Sequence, residues 1–193
     1  MPFWTDVFSE PKRAHRFLLE LPNLQGPNGE ELFTYQKYLA KSVTKPAYTV
    51  GTATHKFLGN SYYYPGSVEW NEISAVIVNS IKPDGNALLI NALAGMGYLQ
   101  PNIQEEIFTA GRLPGTVNKA NAQQALGLVT IQELNGEGGL VGTWQLWNSW
   151  ITSATFGDLN YDSDTEMLNV TVGMRYDWAQ YTTGDAANFA EST

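Results

Sequence analysis

The alternation of apolar and polar positions along the chain predicts a mainly extended structure. Residues 167–178 show it best, because apolar side chains occupy every second position and the residues between them are polar or glycine. A period of two is typical of a strand with one buried face and one polar face. The apolar face consists of Leu168, Val170, Val172, Met174, Tyr176 and Trp178. Similar reasoning predicts strands at residues 14–21, 32–43, 68–81, 127–134, 143–153 and 167–178.

Glycine, proline and asparagine mark the connections between these strands. Residues 25–31 contain all three, so we expect the first two strands to form a hairpin. Residues 135–139 include three glycines, which supply the positive φ angles that a hairpin turn demands. These short connections indicate antiparallel pairing.

One segment changes from strand spacing to helical spacing. Residues 86–98 predict a helix that Gly97 ends. Its apolar face comprises Leu89, Ala92, Leu93 and Met96. A short second helix near residues 119–126 also fits the pattern.

The predicted fold is mainly β, a β-sandwich or open barrel of about six or seven antiparallel strands with one flanking α-helix. Residues 14–179 form a single domain. Residues 1–13 are interpreted as an N-terminal arm, 100–124 as a variable loop and 180–193 as a polar C-terminal tail.

Residues 45–67 combine proline, glycine and threonine with four tyrosines. The run Tyr62, Tyr63 and Tyr64 places aromatic side chains on both faces of an extended segment. Two interpretations stay open. The segment either packs on its own domain as an ordered loop or projects as a hairpin that docks on a neighbouring molecule.

Composition favours assembly over binding to nucleic acid. Charged residues make up 16% of the chain, against about 25% in an average domain. The net charge is −8, and the eleven lysines and arginines form no basic stripe, so the surface repels DNA. The N-terminal residues lack the pattern of a signal peptide, and no apolar run is long enough for a membrane span. We therefore expect a soluble protein made in the cytoplasm that does not bind membranes by itself.

Candidate chemistry is sparse. The chain has no cysteine, and His15 and His55 have no further ligand or catalytic partner at a suggestive spacing. Residues 158–166 alternate acidic and amide side chains, but Ser163 stands where a calcium loop needs glycine. A solvated acidic turn is the better interpretation. We expect no catalytic residue, no metal and no cofactor.

The C-terminal half carries a distinctive series of motifs. Residues 142–178 hold a tryptophan-rich strand, a Phe-Gly-x-Leu-x-Tyr-x-Ser connection, a glutamate and a long alternating strand that ends in Tyr-Asp-Trp. In this pattern the chain resembles the tail-tube proteins of T4-like contractile bacteriophages (myoviruses). Residues 68–98 give a second match, in which a tryptophan-bearing strand precedes an asparagine-containing turn and a helix. With a weaker match at 14–21, the resemblance spans residues 14–179.

The resemblance implies a structural protein and not an enzyme. Its subunits would form hexameric rings with a continuous inner β-barrel, and stacked rings would form the conduit for genome delivery. The implied partners are further copies of the chain, the tail sheath protein, and baseplate and tail-terminator proteins, while genomic DNA passes without specific binding. The implied location is the virion, with assembly in the host cytoplasm.

The resemblance also suggests two sets of site residues. Strands 68–81 and 167–178 would line the channel, with Asn169, Thr171 and Arg175 facing it. The hairpin 45–67 would stack one ring on the next. Its contact residues would be Tyr48, His55, Phe57, Tyr62, Tyr63 and Tyr64.

Three other functions stay open. A baseplate tube-initiator or a secretion-type tube protein would have the same fold. A carbohydrate-binding β-sandwich or a glycosidase would use the tryptophans and acidic residues together. A DNA-binding protein is disfavoured by the charge.

Overall fold

The computed structural model describes residues 11–24, 39–98, 100–101, 116–162 and 165–184. Ten strands and two helices lie in this part of the chain. The strands are β1 Phe17–Glu20, β2 Ala40–Val43, β3 Tyr48–Phe57, β4 Asn60–Trp70, β5 Ile73–Val78, β6 Val129–Leu134, β7 Leu140–Trp147, β8 Trp150–Thr155, β9 Asn169–Arg175 and β10 Trp178–Thr183. The helices are α1 Gly85–Gly95 and α2 Lys119–Leu126.

The strands form two four-stranded sheets and one separate hairpin. Sheet 1 has the order β1-β6-β7-β10, and sheet 2 has the order β2-β5-β9-β8. Strands β3 and β4 pair only with each other within the described residues. All pairs are antiparallel, so the predicted mainly antiparallel β class is confirmed.

The two sheets are joined by a bent two-stranded ribbon. Strand β7 continues into β8 after Asn148, and β9 continues into β10 after Asp177, so both strands change sheets at the same level. Asn148 has φ 56°, a left-handed conformation that asparagine tolerates better than most residues. Its Nδ2 donates to Asp177 Oδ2 at 2.8 Å, and the Asp177 amide donates to the Trp147 carbonyl at 3.0 Å.

Helix α2 is attached to this bend by Lys119, whose Nζ donates to both carboxylate oxygens of Asp177 at 2.8 and 2.6 Å. Lys119 and Asn148 together lower the pKa of Asp177. Buried Ser149 donates from Oγ to the Gly127 carbonyl at 3.1 Å, just beyond the end of α2. The bend and the helix therefore stabilise each other.

One apolar core lies between the sheets and under the helices. The inward face of β5 contributes Ile73, Ala75 and Ile77, and sheet 1 contributes Ile131 and Leu146. The inward face of β9 matches the predicted alternation. It consists of Val170, Val172 and Met174, continued by Tyr176.

Four expectations about the strands need correction. The predicted hairpin of the first two strands is not found among the described residues, where β1 pairs with β6 and β2 pairs with β5. Residues 25–38, which hold the predicted turn and most of the predicted second strand, lie outside the described part. The predicted strand 143–153 spans the bend from β7 to β8. The predicted strand 167–178 spans the bend from β9 to β10, so exposed Trp178 belongs to sheet 1. Likewise, 68–81 divides between β4 and β5.

Both predicted helices are present. Helix α1 begins after Asp84, whose side chain accepts from the Asn86 amide, and α2 has the predicted bounds 119–126. On α1 the buried residues include Leu88, while predicted Leu93 is exposed. Neither helix is long and apolar enough to cross a membrane, a finding limited to the described residues.

The predicted domain boundaries meet the structure at two places. Strand β10 extends to Thr183, so residues 180–183 belong to sheet 1 and not to a polar tail. Residues 1–10 of the arm, most of the loop 100–124 and residues 185–193 lie outside the described part.

Removing core volume from the bent ribbon should destabilise the fold. Leu146 is fully buried, so Leu146→Ala should lower the free energy of unfolding by about 2–5 kcal/mol. Leu159 is 88% exposed, and Leu159→Ala should change that free energy by less than about 0.5 kcal/mol. Denaturant unfolding of dilute protein measures both. Equal effects of the two variants would contradict the assigned core.

Candidate assembly surfaces

The β3–β4 hairpin carries aromatic side chains on a segment without a covering layer. Every residue from 48 to 69 is exposed, and only Trp70 at the base is half-buried. Strand β3 has ten residues, which corresponds to a length of about 33 Å. Of the two interpretations of residues 45–67, the structure therefore shows the projecting hairpin.

The cross-strand register divides the hairpin into two unlike faces. His55 lies opposite Tyr62, Ala53 opposite Tyr64, and Phe57 opposite Asn60. We call this side the aromatic face; its residues are Ala53, His55, Phe57, Asn60, Tyr62 and Tyr64. The second face pairs Thr54 with Tyr63 and Lys56 with Ser61. Tyr63 thus lies apart from its two neighbours, whereas Tyr48 lies at the base.

The hairpin turn is unusual in sequence. Leu58 and Gly59 form a two-residue turn in which both have positive φ, 47° and 82°. Asparagine or glycine is the usual choice at the first position, and a left-handed leucine costs about 1–2 kcal/mol. This leucine is also 84% exposed. Sequence reasoning missed it, although a leucine before glycine in a hairpin turn is a visible signal.

Aromatic packing holds the base of the hairpin on the core. The rings of Tyr48 and Trp70 meet edge to face at 5.5 Å, and Trp70 lies 5.9 Å from buried Tyr176. Arg175 donates to Glu69 at 3.3 Å beside this contact. The hairpin is therefore fixed at its base and free of the core along its length.

An ion cluster fixes the segment that leads into the hairpin. Glu133 of β6 is buried and accepts hydrogen bonds from Lys45, just before β3, and from Lys12 at 2.6 Å. Lys12 also donates to the Tyr181 hydroxyl at 2.8 Å. Burial raises the pKa of Glu133, but the two lysines outweigh burial, so the net pKa is lowered. The same contacts raise the pKa of Lys12.

Sheet 2 turns one face away from the core, and this face contains the three residues predicted to face a channel. Thr171 is half-buried, Arg175 is exposed, and Asn169 is half-buried with its Oδ1 unpaired among the described residues. On β5, Val76 lies opposite Thr171 and Val78 lies opposite Asn169. On β5 and β9 the central part of the face therefore carries hydroxyl, amide and valine side chains.

Charged side chains lie at the end of this face near the hairpin. Side chains of Ser153, Thr152 and Glu72 cover Gly173, where a Cβ would come within 3.0 Å of each. Thr152 donates to Glu72 there, and Arg175 pairs with Glu69.

A second exposed apolar region lies in the β8–β9 loop, residues 156–168. The described part of this loop has exposed side chains at Phe156, Leu159, Tyr161 and Met167. The loop borders an open groove of about 690 Å³ whose lining includes Asp158, Asp162 and Glu166. In the described part of the predicted acidic turn the Asp162 amide donates to Asn160 Oδ1 at 3.0 Å, while residues 163 and 164 lie outside the described part.

The outer side of sheet 1 has its own aromatic pair. Trp147 and Trp178 stack with ring centroids 5.1 Å apart and an interplanar angle of 4°. Both are about 40% exposed. Among the described residues, no three histidine, aspartate or glutamate side chains come together as a metal site.

Comparison with protein-family models and with curated proteins finds no match. Solved structures with a similar fold do exist. A chain of the anti-feeding prophage cap (AFP tube terminating cap) has a TM-score of 0.58 at 16% identity, covering 91% of this chain and 93% of its own length. A chain of the sheath-tube complex of an extracellular contractile injection system, PVC, in the extended state has a TM-score of 0.57 at 16% identity, with the same coverage.

The sheath/tube terminator structure of the PVC system gives a third match, with a TM-score of 0.55 at 15% identity and coverage of 91% and 99%. Because the match extends over nearly the whole of each chain, the described sheets and hairpin belong to one shared fold. At these identities the likeness establishes the fold alone.

Acid should weaken the Glu133 cluster. A carboxylate with a lowered pKa stabilises the fold above its unfolded pKa of about 4.5 and loses this contribution as the pH falls. Glu133→Gln should therefore cost roughly 1–2 kcal/mol at pH 7 and flatten the decline in stability below about pH 4.5. Unfolding free energies measured from pH 7 to pH 3 test this.

The matched control is Glu69→Gln, because Glu69 forms an exposed ion pair with Arg175. Its effect should be near zero at every pH. An unchanged acid slope in Glu133→Gln would show that Glu133 does not contribute as described.

Proposed function

We propose that this chain is the tube subunit of a contractile tail or injection particle. Copies close side by side into rings, and rings stack into a hollow tube. The observation that carries the proposal is the open sheet 2, whose two edges suit closure, in a fold shared with chains from such particles. The proposed role is structural and involves no catalysis and no cofactor.

The edges of sheet 2 have the polarity that lateral closure requires. Successive strands in the order β2-β5-β9-β8 are antiparallel, so β2 and β8 run in opposite directions. When β2 of one copy lies beside β8 of the next, the antiparallel ladder continues. Such closure removes exposed strand edges, and repeated head-to-tail contacts generate a ring.

In the closed ring, the outward face of sheet 2 becomes the channel wall. Asn169, Thr171 and Arg175 then face the lumen, as the resemblance to tail-tube proteins implies. The central hydroxyl and amide groups offer no dense charge of either sign. A passing polyelectrolyte would find no basic stripe to grip. This supports transport without specific binding.

The β3–β4 hairpin is the proposed stacking element between rings. Its aromatic face, with Phe57, Tyr62 and Tyr64, is the large apolar surface that an isolated copy leaves in water. The hairpin is fixed at its base and uncovered along its length, so it is available to a second ring. Tyr63, on the other face, has a smaller part in the contact.

The finer assignment is to the tail tube of a T4-like phage, with the genome as cargo. Its support is the tail-tube motif of residues 142–178. The proposed partners are the sheath protein around the tube and the baseplate and terminator proteins at its ends. A nucleic acid protected inside purified particles would favour the phage tail over a secretion-type tube. A copy number of a single ring per particle would indicate a tube-initiator.

Negative-stain electron microscopy of the purified protein at high concentration tests the proposal. We expect hollow rings and stacked tubes of uniform width. The double variant Tyr62→Ser/Tyr64→Ser should leave rings but shorten or abolish tubes, because the aromatic face loses both of its tyrosine rings.

Tyr63→Ser is the matched control, since it removes the same side chain from the opposite hairpin face and should preserve tubes. A monodisperse monomer at every concentration would argue against spontaneous tube formation. Glycan binding would then be measured, because the exposed Trp147–Trp178 pair is the observation that favours a carbohydrate-binding β-sandwich.

A further inference from the structure

The hairpin and the β8–β9 loop lie at opposite ends of sheet 2. The hairpin leads into β5 at Ile73, which pairs with Met174 near the end of β9. The loop leads into β9 at Asn169, which pairs with Val78 at the far end of β5. The Asn79 amide also donates to the Leu168 carbonyl at 2.9 Å, so exposed Ile81 follows at the loop end.

In a tube, this placement puts the hairpin and the β8–β9 loop at opposite ends of each ring along the tube axis. Strands of a closed barrel tilt by about 35–45° from its axis, so the two ends of each strand face the two openings of the ring. The hairpins then project from one opening of the ring, and the β8–β9 loops of the subunits surround the other opening. Rings stacked in one direction bring these regions together.

Both regions expose apolar side chains to water. At the hairpin tip these are Phe57 and Leu58, and in the loop they are Leu159, Tyr161 and Met167. Leu58 is held in an unfavourable backbone conformation, which a turn designed only for stability would avoid. A contact that buries Leu58 explains why an apolar side chain stands there.

The charges of the two regions are complementary. Lys56 lies two residues from the tip and is exposed. The groove beside the loop is lined by Asp158, Asp162 and Glu166. Apolar contact supplies affinity, and the opposite charges favour one docking direction.

We propose that the hairpin tip of one copy docks on the described residues of the β8–β9 loop, 156–162 and 165–168, of a copy in the next ring. Leu58 and Phe57 pack against Leu159, Tyr161 and Met167, and Lys56 meets the acidic groove. Because the contact joins two different surfaces, it adds rings in a single direction without closing, as a tube requires. The inference rests on the proposed tube function and names the receiving surface for the hairpin.

Cysteine cross-linking between two separately prepared variants tests the contact, since the chain has no cysteine of its own. Leu58→Cys protein and Leu159→Cys protein are mixed in equal amounts under the assembly conditions and treated with a short bismaleimide. We expect a cross-linked dimer of the two variants on denaturing gels. Leu58→Cys mixed with Ile90→Cys is the control, because Ile90 is exposed on α1 and should give no such dimer.

Electron microscopy of the same mixtures separates the two proposals. Tubes without the Leu58–Leu159 dimer would overturn the docking site while the tube function stands. Absence of both rings and tubes would overturn the tube function and the docking site together. If tubes form and Leu58→Cys cross-links to Ile90→Cys but not to Leu159→Cys, the hairpin tip contacts a different surface and the proposed docking site is wrong.

A second pair of variants gives an independent readout. Leu159→Ser/Tyr161→Ser should keep rings and lose stacking, because the receiving surface loses two of its three apolar side chains. Ile90→Ser should leave tube length unchanged. Normal tubes from the loop variant would contradict the proposal, and binding of the intact loop to another tail protein would then assign it a different occupant.

Discussion

The bend at Asn148 and Asp177 is the constraint on which the rest of this fold depends. One hydrogen-bonded ribbon supplies two strands to sheet 1 and two to sheet 2, so the relative placement of the sheets follows from a single corner. The left-handed Asn148 permits the turn, and its amide, the Trp147 carbonyl and Lys119 satisfy the polar groups of Asp177. This local hydrogen bonding fixes an exposed corner, and the fixed corner places both sheets around one shared core.

The same corner divides the surface into parts with separate uses. Sheet 1 is covered on its inner side by the core and carries the stacked Trp147–Trp178 pair outside. Within the described residues the edge strands β2 and β8 of sheet 2 each pair with one strand only, and the sheet has two ends, the hairpin end and the loop end. Lateral edges favour growth around a ring, and unlike ends favour growth along an axis. A single four-stranded sheet therefore contains the features needed for both directions of assembly.

Local patterns predicted the elements better than they predicted their pairing. The inward alternation from Val170 to Tyr176 was visible because burial on one face selects every second residue. The alternation continues through Asp177 to Trp178, because the bend between the sheets keeps the two-residue period although it changes the partner strand. The pairing of Phe17 with Glu133 joins distant segments and leaves no local signal. For the same reason the aromatic hairpin was recognisable from its tyrosines, whereas the exposure of Leu159 and Tyr161 depends on tertiary structure.

Exposed apolar side chains at both ends of sheet 2 have a cost for an isolated copy. Leu58 at the tip and Leu159 in the loop bury almost none of their surface, so neither side chain stabilises the isolated copy by burial. Burying their apolar surface would contribute about 25 cal/mol for each Å², and only a larger assembly would bury it. Glu133, Lys12 and Lys45 form an ion cluster beside the hairpin base, and this cluster helps to fix the direction of a segment whose residues 48–69 are all exposed. Fixing that direction in advance lowers the entropy lost on docking, which is the advantage expected of a surface built to meet another copy.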